Sequence, residues 1–348
     1  MYLQLSWHIE IGDYVLAMLD NVEVNKSVDL LADTCKIKLP AQVNNKPIPQ
    51  TSLSSIGNDI QGQLKRSNPV KVWMGYNKTS EELKKTKPEF EGYLLSMETD
   101  DGSIIINCED ELFLMRKPVA DKQFKATSVK QIAEYIISQL GLTMKVNCTL
   151  TINYDKFVIS KATAYDVLKK LKDETKGNIY IRKNDKGEVE LNIHPPYIEK
   201  HGYVDYSFQY NIENSSLKYK SKEDRKVEVI IERTGKDGKT IKGTFGTPGG
   251  EQVQIKGNGM SAADIKKAAQ NEYNQRCYDG YEGDITTWLV PFAEPGYSAS
   301  ITDEDYGFKN GSYYVKSVTS SMDGSGGGVR KVQLGIKLSG DGQVQKIG

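Results

Sequence analysis

Phe90-Glu91-Gly92-Tyr93-Leu94-Leu95-Ser96-Met97 and, far downstream, Lys309-Asn310-Gly311-Ser312-Tyr313-Tyr314-Val315-Lys316-Ser317-Val318 run through one succession: glycine, aromatic, an apolar pair or near-pair, serine, apolar residue. After each comes a turn rich in Asp and Gly and then an alternating stretch, Ile104-Ile105-Ile106-Asn107-Cys108 or Val332-Gln333-Leu334-Gly335-Ile336. Before each lies another, Val70-Lys71-Val72-Trp73-Met74 or Tyr297-Ser298-Ala299-Ser300-Ile301. Successive side chains of a strand point to opposite faces, so these are half-buried antiparallel strands. Two readings follow. Any two antiparallel meanders look alike; alternatively the chain holds two related β-barrel domains. The second predicts that residues 1–118 and about 201–340 superpose, with Gly92 and Gly311 at equivalent strand entries.

Outward from the first copy the period stays at two, through Val15-Leu16 and Cys35-Ile37-Leu39. Pro47, Pro49 and a polar run to Asn68 mark a long connection, and Lys84-Lys85-Thr86-Lys87-Pro88 a solvated loop. The texture changes after Pro118. Ser128-Val129-Lys130-Gln131 is a capping box opening a helix with Ile132, Ile136 and Leu140 on one face and Gly141 at its end. Thr163-Ala164-Tyr165-Asp166 caps a second helix, with Val167, Leu168 and Leu171 facing a core and Gly177 closing it. Asn178 to Ile181, a turn at Asn184-Asp185-Lys186-Gly187, and Val189 to Ile193 then form a hairpin. Strands return at Val204 and at Val227-Val229-Ile231. Ser261-Ala262-Ala263-Asp264 caps a third helix over about 261–279, expected to pack on the outside of the second barrel through Ile265, Ala268, Ala269 and Tyr273. The expected fold is mainly β: a first antiparallel barrel over 1–118, an α+β insertion over 119–200, and a second barrel over 201–348.

Composition removes several function classes. The 348 residues carry 46 Lys+Arg against 46 Asp+Glu, a formal charge of +0, so no net field draws the chain to phosphate backbones or anionic lipid. Twenty Tyr against 8 Phe favour rings with a polar tip, suited to half-buried strands and wet subunit contacts. Cys35, Cys108, Cys148 and Cys277 are scattered, with no CxxC pair or nearby His, so neither a zinc site nor a disulfide framework is readable. The N-terminus lacks a basic region followed by an apolar run and reads as cytoplasmic and unprocessed. No apolar span reaches the roughly 20 residues of a membrane helix. The Asn-x-Ser/Thr triplets at Asn77, Asn147 and Asn214 therefore read as chance.

Motifs that could carry chemistry each have a plainer reading. Gly238-Lys239-Thr240 resembles the end of a phosphate-binding loop, but Arg233 stands where the upstream Gly is required and strands flank it, so it is a hairpin turn. Gly324-Ser325-Gly326-Gly327-Gly328-Val329 nearly spells a dinucleotide fingerprint, yet a strand follows where a helix should. Asp303, Asp305 and Asn310 lack calcium-loop spacing and its bidentate Glu. His8, His194 and His201 have no nucleophile elbow to serve. Glu109-Asp110-Glu111 would point to opposite faces of a strand and cannot share a substrate. No catalytic, cofactor or metal constellation is expected.

A family pattern appears in the C-terminal quarter. Glu272-Tyr273-Asn274-Gln275-Arg276, then Tyr281-Glu282-Gly283-Asp284, Glu294-Pro295-Gly296-Tyr297, Asn310-Gly311-Ser312-Tyr313-Tyr314-Val315 and Arg330-Lys331-Val332-Gln333-Leu334 resemble the baseplate hub family of tailed phages. That family includes the late control protein D group of contractile tails and is similar to the N-terminal part of type VI secretion spike proteins. Phe90-Glu91-Gly92-Tyr93, with Ile104-Ile106 and Glu109-Asp110, resembles the strand pair of its first barrel, and Thr163 through Tyr180 its short helix before a hairpin. The resemblance implies two tail-tube-like barrels per subunit and a homotrimeric ring joining the tail tube protein to the central spike protein. It also implies a place in the virion tail baseplate, or that of a prophage or contractile injection system, after synthesis in the bacterial host cytoplasm. Gly92, Pro295, Gly296 and Gly311 are its candidate structural turns. No lysozyme, peptidase or valine-glycine-repeat spike region is read after Leu338, so wall cutting would belong to other chains. The rivals are a carbohydrate- or cell-wall-binding β protein, whose Tyr residues would line a glycan groove, and an enzyme whose cleft is built from non-adjacent residues.

Overall fold

A computed structural model describes residues 3–40, 64–100, 103–184, 186–198, 202–234, 239–257, 259–324 and 327–338. The connection around Pro47 and Pro49, the turn at Lys236-Asp237-Gly238, His201 and the middle of Gly324–Gly328 lie outside the described residues.

The N-terminal stretch forms β1 (Leu5–Ile11), β2 (Tyr14–Val15), β3 (Asn21–Ser27), β4 (Thr34–Pro40), β5 (Pro69–Tyr76), the short helix α1 (Ser80–Lys84), β6 (Phe90–Asp100) and β7 (Ser103–Glu109). Their alternation is the reason they are strands. Val22 and Val24, Cys35, Ile37 and Leu39, and Val70 and Val72 are buried while the residues between them are not.

Next come β8 (Lys122–Ser128), α2 (Val129–Gln139), β9 (Lys145–Cys148), β10 (Asn153–Ile159), α3 (Ala164–Thr175), β11 (Asn178–Lys183) and β12 (Val189–His194). Both expected capping boxes form: Ser128 with Gln131, and Thr163 with Asp166. β8 pairs β10, and β11 pairs β12, which takes β9 on its other side in parallel.

The last third holds β13 (Gly202–Ser207), β14 (Ile212–Ser215), β15 (Lys218–Lys220), β16 (Val227–Thr234), β17 (Thr240–Gly246), β18 (Glu251–Lys256), α4 (Ala262–Arg276), β19 (Gly280–Glu282), β20 (Asp284–Thr287), β21 (Tyr297–Thr302), β22 (Gly311–Asp323) and β23 (Gly328–Lys337). Ser261 caps α4, its side chain accepting from the Asp264 N–H.

The packing of α4 corrects the expectation. The helix lies on β16 and β17, not on the sheet that contains β20 to β23. Gly243 permits the approach: a Cβ there would stand 2.3 Å from Ile265 Cγ2. Ile265, Ala268 and Ala269 join Val229 and Ile231 in one apolar core with Ile132, Ile136, Leu168 and Ile193. The middle region and residues 227–277 thus share an interior.

The large sheet runs β14-β20-β23-β22-β3-β4-β7-β6-β5-β1-β2, and β22 makes it continuous. β22 pairs β23 along one edge. Its other edge takes β21 over residues 311–314 and then β3 over residues 317–323. Among the described residues no set of strands closes on itself by hydrogen bonding, so the expected pair of closed barrels is one open sheet with two wrapped halves. Each half encloses its own core, one around Ile9, Ile37, Val72 and Ile106, the other around Tyr206, Ile285, Ile301 and Val332.

The halves share a strand order. β3-β4-β7-β6-β5-β1 in the first corresponds to β14-β20-β23-β22-β21-β13 in the second, each set met in the same sequence along the chain. The final strand differs, because β1 is antiparallel to β5 whereas β13 is parallel to β21; "all antiparallel" is corrected there. β6 and β22 each carry a bulge. Leu94 faces Cys108 and Ser96 faces Asn107; Val315 faces Leu334 and Ser317 faces Gln333. Each bulge is followed by a serine–amide contact, Asn107 Nδ2 to Ser96 Oγ at 3.2 Å and Ser317 Oγ to Gln333 Oε1 at 2.9 Å. Counted from the bulges, Tyr93 matches Tyr314, Gly92 matches Tyr313, and Gly311 matches Phe90. The two glycines are therefore offset by two residues and are not equivalent strand entries.

Candidate functional site at the junction of the halves

The Glu294-Pro295-Gly296-Tyr297 stretch makes a tight turn. Tyr297 N–H donates to the Glu294 carbonyl at 3.1 Å, Pro295 presets the first corner, and Gly296 takes the second at φ +87°, the type II pattern. Gly296 N–H donates to the Val315 carbonyl at 2.8 Å and ties the turn to β22. The turn carries the Glu294 side chain into the seam between the halves.

There Glu294 accepts from Lys26 Nζ of β3 at 2.8 Å and from Lys87 Nζ of the loop before β6. Arg182 of β11 reaches in from the insertion to the Pro295 carbonyl. Three segments thus meet on one turn. Burial alone would raise the Glu294 pKa, but the charges of Lys26, Arg182 and Lys87 outweigh it and hold the carboxyl far below its ordinary range. Burial likewise disfavours the Lys26 ammonium, and Glu294 and Asp33 more than offset it, so its pKa rises. The Phe292 ring is flanked by Lys26, Lys87 and Arg330, with cation-to-centroid separations of 5.9, 5.3 and 5.1 Å.

Arg330 lies deeper in the same seam. Its side chain is 0% exposed and binds Glu89 Oε1 at 2.5 Å, the Leu289 carbonyl at 2.8 Å and the Ala293 carbonyl at 3.3 Å. Ser320 donates to the other Glu89 oxygen at 3.1 Å. Glu89 belongs to the first half and Arg330 to the second, so a fully desolvated ion pair crosses the junction. Tyr76 adds a neutral crossing, donating to the Gly328 carbonyl at 2.7 Å. Asp33 and Asp110 sit beside Lys26's strand, with the Asp33 N–H on Asp110 Oδ2 at 3.0 Å. Burial, and then the Asp33 charge, push Asp110 well above the usual carboxylate range.

The expected turn residues fall in two places. Pro295, Gly296 and Gly311 belong to the β21–β22 unit, where Gly311 faces Ile301; Gly92 faces Val70 in the β5–β6 unit. A Cβ on Gly92 would lie 2.3 Å from the Glu109 carbonyl oxygen and 2.8 Å from Asp110 Cα, so glycine is required by close approach and not by φ. The other residues weighed for chemistry do not converge. Glu109 is taken by Arg116, Asp303 by Lys309 and by backbone N–H groups of its own turn, and His8 by Glu10. His194 contacts Thr149 at 2.7 Å, and burial lowers its pKa to about 4. No group of three or more His, Cys, Asp or Glu among the described residues could hold a metal ion. No helix among them is long and apolar enough to cross a membrane.

Sequence reading missed Lys26, Lys87, Glu89 and Arg182 and gave no role to Glu294 or Arg330. For Arg330 a signal existed: it shares strand parity with Val332 and Leu334 and so points at the core.

Nearly all of the chain has structural counterparts. The 43 kDa tail protein of prophage MuSo2 from Shewanella oneidensis has a TM-score of 0.61 at 15% identity, covering 95% of this chain and 98% of that one. The tail protein from Neisseria meningitidis MC58 has a TM-score of 0.61 at 11% identity, covering 95% and 96%. The E. coli c3393 protein, a type VI secretion system component described as similar to phage T4 tail proteins, has a TM-score of 0.56 at 10% identity, covering 95% and 77%. The fold is thus that of phage tail proteins, in keeping with the resemblance read from the sequence. No curated protein matches the chain in sequence. The YQBQ-like family model matches residues 72–334, and the chain belongs to that family.

Proposed function

We propose that this protein is a structural, non-enzymatic hub of a phage tail or tail-like injection device, three copies of which form a ring between the tail tube and the central spike. The observation that carries this reading is the junction. Two sheet halves of one strand order are joined through β3 and β22 and locked by the Arg330–Glu89 pair across the seam. A subunit of two like halves offers six similar positions in a ring of three, which suits a joint between sixfold and threefold parts. The counterparts named as tail proteins over nearly their full lengths support a place in a tail. The domain division that fits the cores is two β halves with the shared α+β interior set between them.

Labelling tail particles released by the source cells with an antibody to this chain tests the reading. Label confined to the baseplate end is expected; label along the shaft, or none on purified particles, would overturn it. Wall digestion measured in parallel should release no muropeptides, and their release would remove the non-enzymatic part of the assignment.

A further inference from the structure

The seam within one subunit contains the pattern for a second seam between subunits. In the internal seam Asn25, Lys26 and Ser27 of β3 face Thr319, Val318 and Ser317 of β22, and Thr319 Oγ1 donates to Asn25 Oδ1 at 2.7 Å. The shared bulge makes Ser96, Met97 and Glu98 the counterparts of Ser317, Val318 and Thr319. The counterpart of β3 follows from its neighbour. Ile37 faces Ile106 as Ile285 faces Val332, and, three residues earlier on each strand, Thr34 faces Asn25 as Glu282 faces Lys218. Lys218, Tyr219 and Lys220 of β15 therefore stand where Asn25, Lys26 and Ser27 stand in the first half.

Both counterpart edges are open among the described residues. β6 pairs β5 only through residues 90–93, and β15 pairs only β19. We propose that β15 of one copy adds to the late half of β6 in a second copy, antiparallel, with Lys218 facing Glu98, Tyr219 facing Met97 and Lys220 facing Ser96. This deepens the ring reading and rests on it. Exposure fits: Val318 is buried where β3 pairs beside it, whereas Met97 is half-buried, Ser96 and Glu98 are exposed, and Tyr219 is 47% exposed. Charge fits too. The basic Lys218-Tyr219-Lys220 edge meets Glu98 directly from Lys218 and diagonally from Lys220. Lysines on an edge strand ordinarily keep other strands away; an acid at the facing position of the complementary edge reverses that effect. The contact joins different surfaces of the two copies, so repetition is head-to-tail and can close a ring.

The test uses the full chain with Met97→Cys and Tyr219→Cys, directly opposed in the proposed pairing, in a Cys148→Ser background because the other native thiols are buried. On oxidation, covalent products ending at a trimer are expected from the double variant, and dimers from a mixture of the two single variants. Added Glu98→Lys should lower the yield about two- to fivefold, and Lys218→Glu on top of it should restore the yield. An assembly of native trimer mass without these crosslinks, or crosslinking indifferent to the charge swap, would overturn this pairing and leave the ring reading standing. A strict monomer at every concentration, also with the adjacent spike protein present, would overturn both.

Discussion

The two meanders β5–β6–β7 and β21–β22–β23 share strand order, bulge and serine–amide contact, yet their surroundings give equivalent positions opposite characters. Counted from the bulge, Ile104 of the first is the counterpart of Arg330 in the second. Ile104 packs at the margin of an apolar core; Arg330 is fully buried and paired with a carboxylate of the other half. Backbone features thus follow the strand pattern, while side-chain polarity follows what covers each copy. The second meander is met at this position by Glu89 of the first half and by the Leu289 and Ala293 carbonyls, and uses charge there. The same position in the first meander keeps apolar neighbours.

The largest effect expected from this contrast is at that position. Arg330→Met strands Glu89 in a desolvated seam and should cost about 3–5 kcal/mol. Ile104→Met, a volume-conserving change, should cost less than about 1.5 kcal/mol. Denaturant midpoints of the two variants compare them directly, and adding Glu89→Leu to Arg330→Met should recover most of the loss. Equal costs at the two sites would break the comparison.

Next in size is backbone crowding. Gly92→Ala puts a Cβ against the Glu109 and Asp110 backbone and should cost about 1–3 kcal/mol. Gly335→Ala in the second meander meets chiefly the Lys316 side chain, which can swing away, and should stay within about 1 kcal/mol. Melting temperatures resolve the difference.

Acid separates the junction from the α+β interior. Glu294 has a folded pKa depressed far below the ordinary carboxylate value, so its contribution is present above about pH 4.5 and is lost as pH falls below that. Glu174, in the shared α+β interior, has its pKa pushed up to about 7, chiefly by burial. Its contribution is full below about pH 4.5 and is lost as pH rises through 7. Glu294→Gln should flatten the acid limb of the stability–pH curve, and Glu174→Gln the neutral limb. Identical curves for the wild type and either variant would contradict that assignment.

Much of this was legible in the sequence, for local reasons. Strand parity, the capping boxes at Ser128 and Thr163, and the span of α4 depend on residues a few positions apart. What was not legible depends on distant partners. Ile265, Ala268 and Ala269 announce an apolar face but not which sheet meets it, and the choice of β16–β17 is fixed by the room at Gly243. Strand direction has no local signature, so the parallel β13 was hidden. The echo aligned Ser96 with Ser317, but Gly92 lies four residues before its serine and Gly311 six before its own, so the two glycines could not both hold one strand position.

The smallest expected effect concerns the serines after the bulges. Ser317 is half-buried where β3 runs past it, and its hydroxyl donates to Gln333; Ser96 is exposed and accepts from Asn107. A net hydrogen bond is worth about 0.5–1.5 kcal/mol, and exposed ones fall at the low end because water replaces the lost partner. Both bonds are exposed, so each change to Ala should cost about 0.5 kcal/mol or less in the isolated chain, with the half-buried Ser317 the costlier of the two. If β15 of a second copy covers Ser96, the gap should narrow in the assembled ring, where Ser96 becomes as sheltered as Ser317. Hydrogen exchange at β6, compared between dilute chain and assembly, reads that change directly. Protection of the β6 amides on the open edge between Ser96 and Thr99 that does not rise on assembly would show that the first meander stays open, and that the two copies differ by design and not for want of a partner.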